Sequence, residues 1–223
     1  MKLIEYADAE MMAIDLAQVL AGDLNNVLVH EERATLCVPG GTTPGETFDC
    51  LCAADLDWDR VDVMLTDERW LPEVHLRSNT RLVKEHLLQG RAAAARYHPL
   101  YIRADSPEDV LAEIEAGIVP ILPVSVLLLG MGTDMHTASL IPGGDNLDLA
   151  LSADAPLLVP MNAPGMPDPR VTLSARVLRD AVSTHLVITG TPKRNALERA
   201  MHLTPDEAPI AALLDDCTVH WAP

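Results

Sequence analysis

The sequence predicts an α/β protein, a mostly parallel sheet with helices on both faces. Three observations predict it. Short apolar runs alternate with stretches of helical spacing along all 223 residues. Several of these runs stop abruptly at glycine: Val38 before Gly40-Gly41, Leu129 before Gly130, Thr189 before Gly190. Helix-start chemistry then follows the glycine, as strand–loop–helix units require. No repeat of fixed period, low-complexity tract or linker interrupts the pattern, so residues 1–223 are expected to form a single domain.

Taken in order, Ala9 to Leu24 place Met11, Met12, Ile14, Leu16, Ala17, Val19 and Leu20 at helical spacing. Gly22-Asp23 and Asn25-Asn26 punctuate its end. Ala34–Val38 is a short buried strand that runs into Pro39-Gly40-Gly41-Thr42-Thr43-Pro44-Gly45-Glu46. Thr43 has the chemistry of a helix cap, Pro44 of a first helical residue and Glu46 of the third member of a capping box. The alternative here is a plain tight turn. Val61–Leu65 is the next strand, followed by Thr66-Asp67-Glu68-Arg69-Trp70, and Ser78 or Asn79 caps a further helix. Tyr97–Leu100 reads as a short extended piece. Ser106-Pro107-Glu108-Asp109 starts a helix that Pro120 and Pro123 stop. Val124–Leu129 forms a strand, Leu157–Pro160 another, and Val171–Leu173 a short one. Ser174 caps the helix through Val177 and Leu178. His185–Thr189 is a buried strand ending at Gly190-Thr191-Pro192-Lys193, and Thr218–Trp221 a last, edge strand.

Bulk composition narrows the function. A net charge of −17 opposes a nucleic-acid partner, which needs a basic face to displace counterions, and opposes an anionic membrane surface. A local cluster of cations can still take an anionic small molecule, because salt screens distant charge beyond roughly 8 Å. No apolar run reaches the ~20 residues of a membrane helix. The first residues lack a leader pattern, and Cys37, Cys50, Cys52 and Cys217 form no Cys-x-x-Cys pair. They read as reduced, mostly buried thiols, which points to the cytoplasm. His-x-His and His-Glu-x-x-His spacings are absent, so no metal is expected. The oligomeric state is left between monomer and dimer.

Parallel strands bring their carboxyl ends to one sheet edge, where such folds place ligands. Four of these ends carry polar groups: Gly40 to Thr43; Asp67, Glu68 and Arg69; Asp134 and His136; and Lys193. A glycine pair before a helix start suits an anion. The arginine and lysine add charge, and His136 is the natural proton acceptor near neutral pH. Together they suggest a phosphorylated small molecule held at one end, with acid–base chemistry at the other. The missing Gly-Lys-Ser/Thr ending excludes a nucleotide P-loop. Met135 occupies the third glycine position of a dinucleotide fingerprint and opposes that reading too.

Five segments carry a resemblance: Pro39-Gly40-Gly41-Thr42-Thr43-Pro44; Thr66-Asp67-Glu68-Arg69-Trp70 with Ser78-Asn79; Leu129 to Asp134 with His136-Thr137-Ala138-Ser139-Leu140; Arg170-Val171-Thr172-Leu173-Ser174; and Lys193. In this order they resemble the 6-phosphogluconolactonases, within the superfamily that includes glucosamine-6-phosphate deaminase. The resemblance implies a Rossmann-like (NagB/RpiA-like) fold and hydrolysis of 6-phospho-D-glucono-1,5-lactone in the pentose phosphate pathway, with no cofactor. It implies phosphate binding by Gly40, Gly41, Thr42, Thr43, Arg69, Arg170 and Lys193. It makes His136 the base that activates water, with Asp67 and Asp134 nearby and either one its orienting partner. Two alternatives accompany it. A deaminase needs an Asn-Glu pair where this chain has Leu140 and Ile141. A non-catalytic sugar-phosphate-binding module could dispense with His136. The family usually has glycine at position 135; if that position needs φ > 0, Met135 costs about 1 kcal/mol or more.

Overall fold

The computed structural model describes residues 1–223. The elements in chain order are β1 (Lys2–Glu5), α1 (Ala9–Leu28), β2 (Ala34–Val38), α2 (Gly45–Leu51), β3 (Val61–Leu65), β4 (Asp67–Arg69), α3 (Asn79–His86), β5 (Arg96–His98), α4 (Leu111–Ile118), β6 (Val126–Leu129), α5 (Leu147–Leu151), β7 (Leu158–Met161), β8 (Arg170–Leu173), α6 (Ala175–Arg179), β9 (Ser183–Thr189), α7 (Thr191–Ala200) and β10 (Cys217–Ala222).

Seven strands form one sheet in the order β1-β10-β9-β6-β2-β3-β5. Every neighbouring pair in it is parallel. All residues of β2, β3 and β6 are buried, as strands covered on both faces must be. From the β2–β6 seam the chain winds outward to β3 and β5 on one side and to β9 and β10 on the other, where β1, the first strand, forms the edge. The carboxyl ends of β2 and β6 therefore flank a topological switch point. A smaller antiparallel sheet, β4-β8-β7, stands at the end of β3.

Several expectations change. β10 is an interior strand, paired on both sides; the edge is β1, a four-residue segment whose register partners lie at the far end of the chain (Lys2 opposite Thr218). α1 continues past Gly22 to Leu28 because Leu20, Leu24 and Leu28 are buried at four-residue spacing, and tertiary packing outweighs glycine's propensity. Helix α2 begins at Gly45, with Pro44 in the cap position and no capping hydrogen bond from Thr43. Ser106 does form a capping box with Asp109, but over a single 3₁₀ turn that precedes α4. Ser174 occupies the cap of α6 without a side-chain cap bond. Cys37 and Cys217 are buried, whereas Cys52 is partly exposed and Cys50 exposed. No helix is long and apolar enough to cross a membrane.

Candidate active site

A cleft of about 250 Å³ opens at the β2–β6 switch point. Its lining includes Gly40, Gly41, Thr42, Thr43, Asp67, Arg69, His136, Arg170 and Lys193. Of the site residues expected from sequence, Asp134 alone is not part of the lining; it stands behind His136.

The loop after β2 supplies donors. No backbone carbonyl accepts from the amides of Gly40, Gly41, Thr42 or Thr43. The late start of α2 leaves them so. Gly41 has φ 87°, a conformation that favours glycine. Gly40 is glycine for a different reason: a Cβ there would lie 2.0 Å from Asn79 Oδ1.

By sequence Asp67-Glu68-Arg69 reads as the polar end of the preceding strand. It is a strand itself, because β4 pairs with β8. The register sets Arg69 directly opposite Arg170. Like charges facing across a strand pair repel. Burial holds the Arg69 guanidinium below its usual range, and neighbouring Arg170 lowers it further. Arg170 is itself buried, its Nε has no partner, and its Nη1 lies 3.6 Å from Asp67 Oδ2. Lys193, from the first turn of α7, reaches within 3.5 Å of Thr43 Oγ1, and burial lowers its pKa. In a chain of net charge −17, this cleft gathers three cations against one carboxylate in reach of Arg170. An unpaired buried cation is costly unless an anion joins it.

The other end of the cleft is the loop after β6. Gly132 and Met135 close a turn by a 3.0 Å hydrogen bond from the Met135 amide, and Gly132 N donates to His136 O at 3.0 Å. His136 Nδ1 lies 2.6 Å from Asp134 Oδ1, and the His136 amide donates to the same oxygen at 3.3 Å. This hydrogen bond to His136 holds the Asp134 carboxyl below the usual carboxylate range. An ionised carboxylate only accepts, so Nδ1 carries a proton, and in the neutral ring Nε2 is the nitrogen that keeps its lone pair. Gly132 makes room for the pair: a Cβ there would meet Asp134 Oδ1 at 2.3 Å and His136 Nδ1 at 2.4 Å. Met135 does adopt φ 68°. Its carbonyl accepts from Ile210 N at 3.2 Å and its side chain packs on the core, which offsets the strain.

Asp67 and Asp134 thus take different places. Asp67 accepts from Ser139 Oγ at 2.5 Å and Thr66 Oγ1 at 3.0 Å, and has no hydrogen bond to His136. Sequence reasoning did not single out Ser139, Gly132 or Asn79 as site residues. All three lie within the motif segments that carry the resemblance, but only the contacts of the folded chain reveal their parts in the site.

The family described as glucosamine-6-phosphate isomerases/6-phosphogluconolactonase matches residues 7–221. A 6-phosphogluconolactonase of Pseudomonas aeruginosa is 41% identical, covering 98% of this chain and 93% of that protein. One of Mesorhizobium japonicum is 39% identical, covering 98% and 94%. The crystal structure of a 6-phosphogluconolactonase from Shewanella baltica superposes with a TM-score of 0.96 at 30% identity, covering 100% of this chain and 97% of that one. The match runs through every segment that builds the cleft: the chain belongs to the glucosamine-6-phosphate isomerase/6-phosphogluconolactonase family.

Proposed function

We propose that this protein hydrolyses 6-phospho-D-glucono-1,5-lactone to 6-phospho-D-gluconate, the lactonase step of the pentose phosphate pathway. One observation carries the reading: a single cleft joins an anion grip to a histidine whose far ring nitrogen is backed by a carboxylate. The names of its relatives point the same way. The amides of Gly40 to Thr43 with Arg69, Arg170 and Lys193 take the phosphate. His136 Nε2 removes a proton from water, and the resulting hydroxide adds to the lactone carbonyl carbon. Collapse of the tetrahedral intermediate breaks the bond to the ring oxygen, which receives that proton from His136. Asp134 holds the ring's tautomer and stabilises the imidazolium formed meanwhile. Asp67 acts through the phosphate end, anchoring Ser139 and Arg170. Neither residue nor step calls on a cofactor. The four free thiols fit a reducing, cytoplasmic setting.

Leu140 and Ile141 are buried among apolar side chains, and neither can supply the ring-opening acid of a deaminase. The intact Asp134–His136 pair favours catalysis over binding alone. The test offers the protein freshly prepared 6-phosphogluconolactone and, separately, glucosamine 6-phosphate. Acceleration of lactone opening beyond its spontaneous rate, with no ammonia released from the amino sugar, is the expected result. Ammonia release, or no acceleration, contradicts the proposal.

A further inference from the structure

Glu68 is the member of the Asp67-Glu68-Arg69 strand to which the proposed chemistry gives no part. Its side chain is fully buried, and its hydrogen-bond partners are all backbone amides or hydroxyls. Oε1 accepts from the amides of Arg69 at 2.7 Å and Asn79 at 2.8 Å. Oε2 accepts from the Thr80 amide at 2.7 Å, Thr80 Oγ1 at 2.8 Å and Ser78 Oγ at 3.1 Å. Burial pushes this carboxyl above its ordinary range while those donors pull it back. So costly a group is kept only where its bonds are all made.

What the bonds accomplish is visible one residue further on. One carboxylate oxygen ties the backbone of Arg69 to that of Asn79 at the start of α3. The two side chains then meet at the cleft, where Arg69 Nη1 donates to Asn79 Oδ1 at 3.0 Å and to the Arg77 carbonyl at 2.5 Å. Asn79 Nδ2 donates to the Asp67 carbonyl at 2.9 Å, and its carboxamide lies against Gly40. The Asn79 amide group therefore bridges the arginine and the glycine loop, the two sides of the anion grip.

We propose that Glu68 is a positioning residue for substrate binding: through Asn79 it sets the angle of Arg69 and its spacing from the Gly40 loop. The inference rests on the phosphate reading of the cleft. Glutamine in this place has nearly the same size, but its amide nitrogen would face backbone N–H groups whichever way it turned.

The experiment compares Glu68→Gln, Asn79→Ala and Arg69→Ala in the full chain on 6-phosphogluconolactone and on unphosphorylated gluconolactone. Glu68→Gln is expected to lower the phosphorylated-to-unphosphorylated ratio of kcat/KM by about tenfold or more, through KM. In an Arg69→Ala background it adds little further loss, because the two act on one grip. A merely structural Glu68 lowers both substrates equally and adds to Arg69→Ala; that result overturns the proposal. Asn79→Ala leaves the backbone bonds of Glu68 in place and serves if Glu68→Gln does not fold. It is expected to lower the same ratio, and an unchanged ratio overturns the proposal. Binding of inorganic phosphate by calorimetry reads the grip without the chemistry. If the wild type opens neither lactone, the catalytic reading fails. Phosphate affinity weakened about tenfold in Asn79→Ala and Glu68→Gln still supports the positioning role, and unchanged affinity overturns it.

Discussion

Arg69 and Arg170 face each other across the β4–β8 register, and both line the cleft that His136 closes. Two cations in register repel each other until an anion is shared between them, and the phosphate of the proposed substrate would relieve that repulsion. Loss of a charged hydrogen bond to phosphate costs about 1.5–3 kcal/mol. Arg69→Ala is accordingly expected to raise KM for 6-phosphogluconolactone by about 10- to 100-fold. The unphosphorylated lactone should be affected much less. Steady-state kinetics on both substrates decides it, and equal effects would argue against phosphate at Arg69.

Asp134 fixes the tautomer of His136. In Asp134→Asn the carboxamide can offer an N–H to Nδ1, which moves the ring proton to Nε2 and removes the base. A fall in kcat of about 10²–10⁴-fold with little change in KM is expected. A variant with kcat near wild type would place the orienting role elsewhere.

Gly132 is predicted to be intolerant of the smallest side chain. The Cβ of Gly132→Ala would fall on Asp134 Oδ1 and His136 Nδ1 at 2.3 and 2.4 Å. The loop must then shift, separating the pair. Circular dichroism should show the fold retained while kcat drops about as far as in Asp134→Asn. Full activity would mean that the turn relaxes without moving His136.

Stability should fall in mild acid for a reason remote from the cleft. His220 is buried between Tyr6 Oη, 2.8 Å from its Nδ1, and His185 Nδ1, 3.1 Å from its Nε2; Asp15 and Asp23 complete the chain. Burial first, then the neighbouring His185, lowers its pKa from 6.5 to about 4. Between those values the unfolded chain binds a proton that the folded chain does not. Stability is therefore present above pH 6.5 and lost as pH falls towards 4, by at most about 3 kcal/mol. Asp23, held low by its bond to His185, acts in the same direction at lower pH. Thermal melts across this range should show the slope in the wild type and a shallower one in His220→Gln, which hydrogen-bonds but does not titrate. Parallel slopes would assign the acid loss to other groups.

The legible parts of this fold were those written locally. Val38, Leu129 and Thr189 each run into glycine, and each does end a parallel strand; the loops after the first two line the cleft, and Lys193 reaches it from the helix after the third. The β4–β8 pairing was not legible. Asp67-Glu68-Arg69 has no strand pattern, and its partner lies about a hundred residues away, so only tertiary contact makes it a strand. Long-range contact also hid the different places of Asp67 and Asp134: Asp67 bonds Ser139 and lies beside Arg170, whereas Asp134 bonds His136. Met135 was legible as an anomaly, and its φ of 68° answers it; the Ile210 amide that helps hold it lies in a distant 3₁₀ turn.

His136, proposed as the base for lactone opening, is open to a direct test. Opening of fresh 6-phosphogluconolactone, corrected for its spontaneous rate, should be followed for wild type and for His136→Ala shown by thermal melt to be folded. A large acceleration by the wild type and a kcat at least about 10²-fold lower in the variant is the predicted result. Wild-type kcat in the folded variant would contradict it.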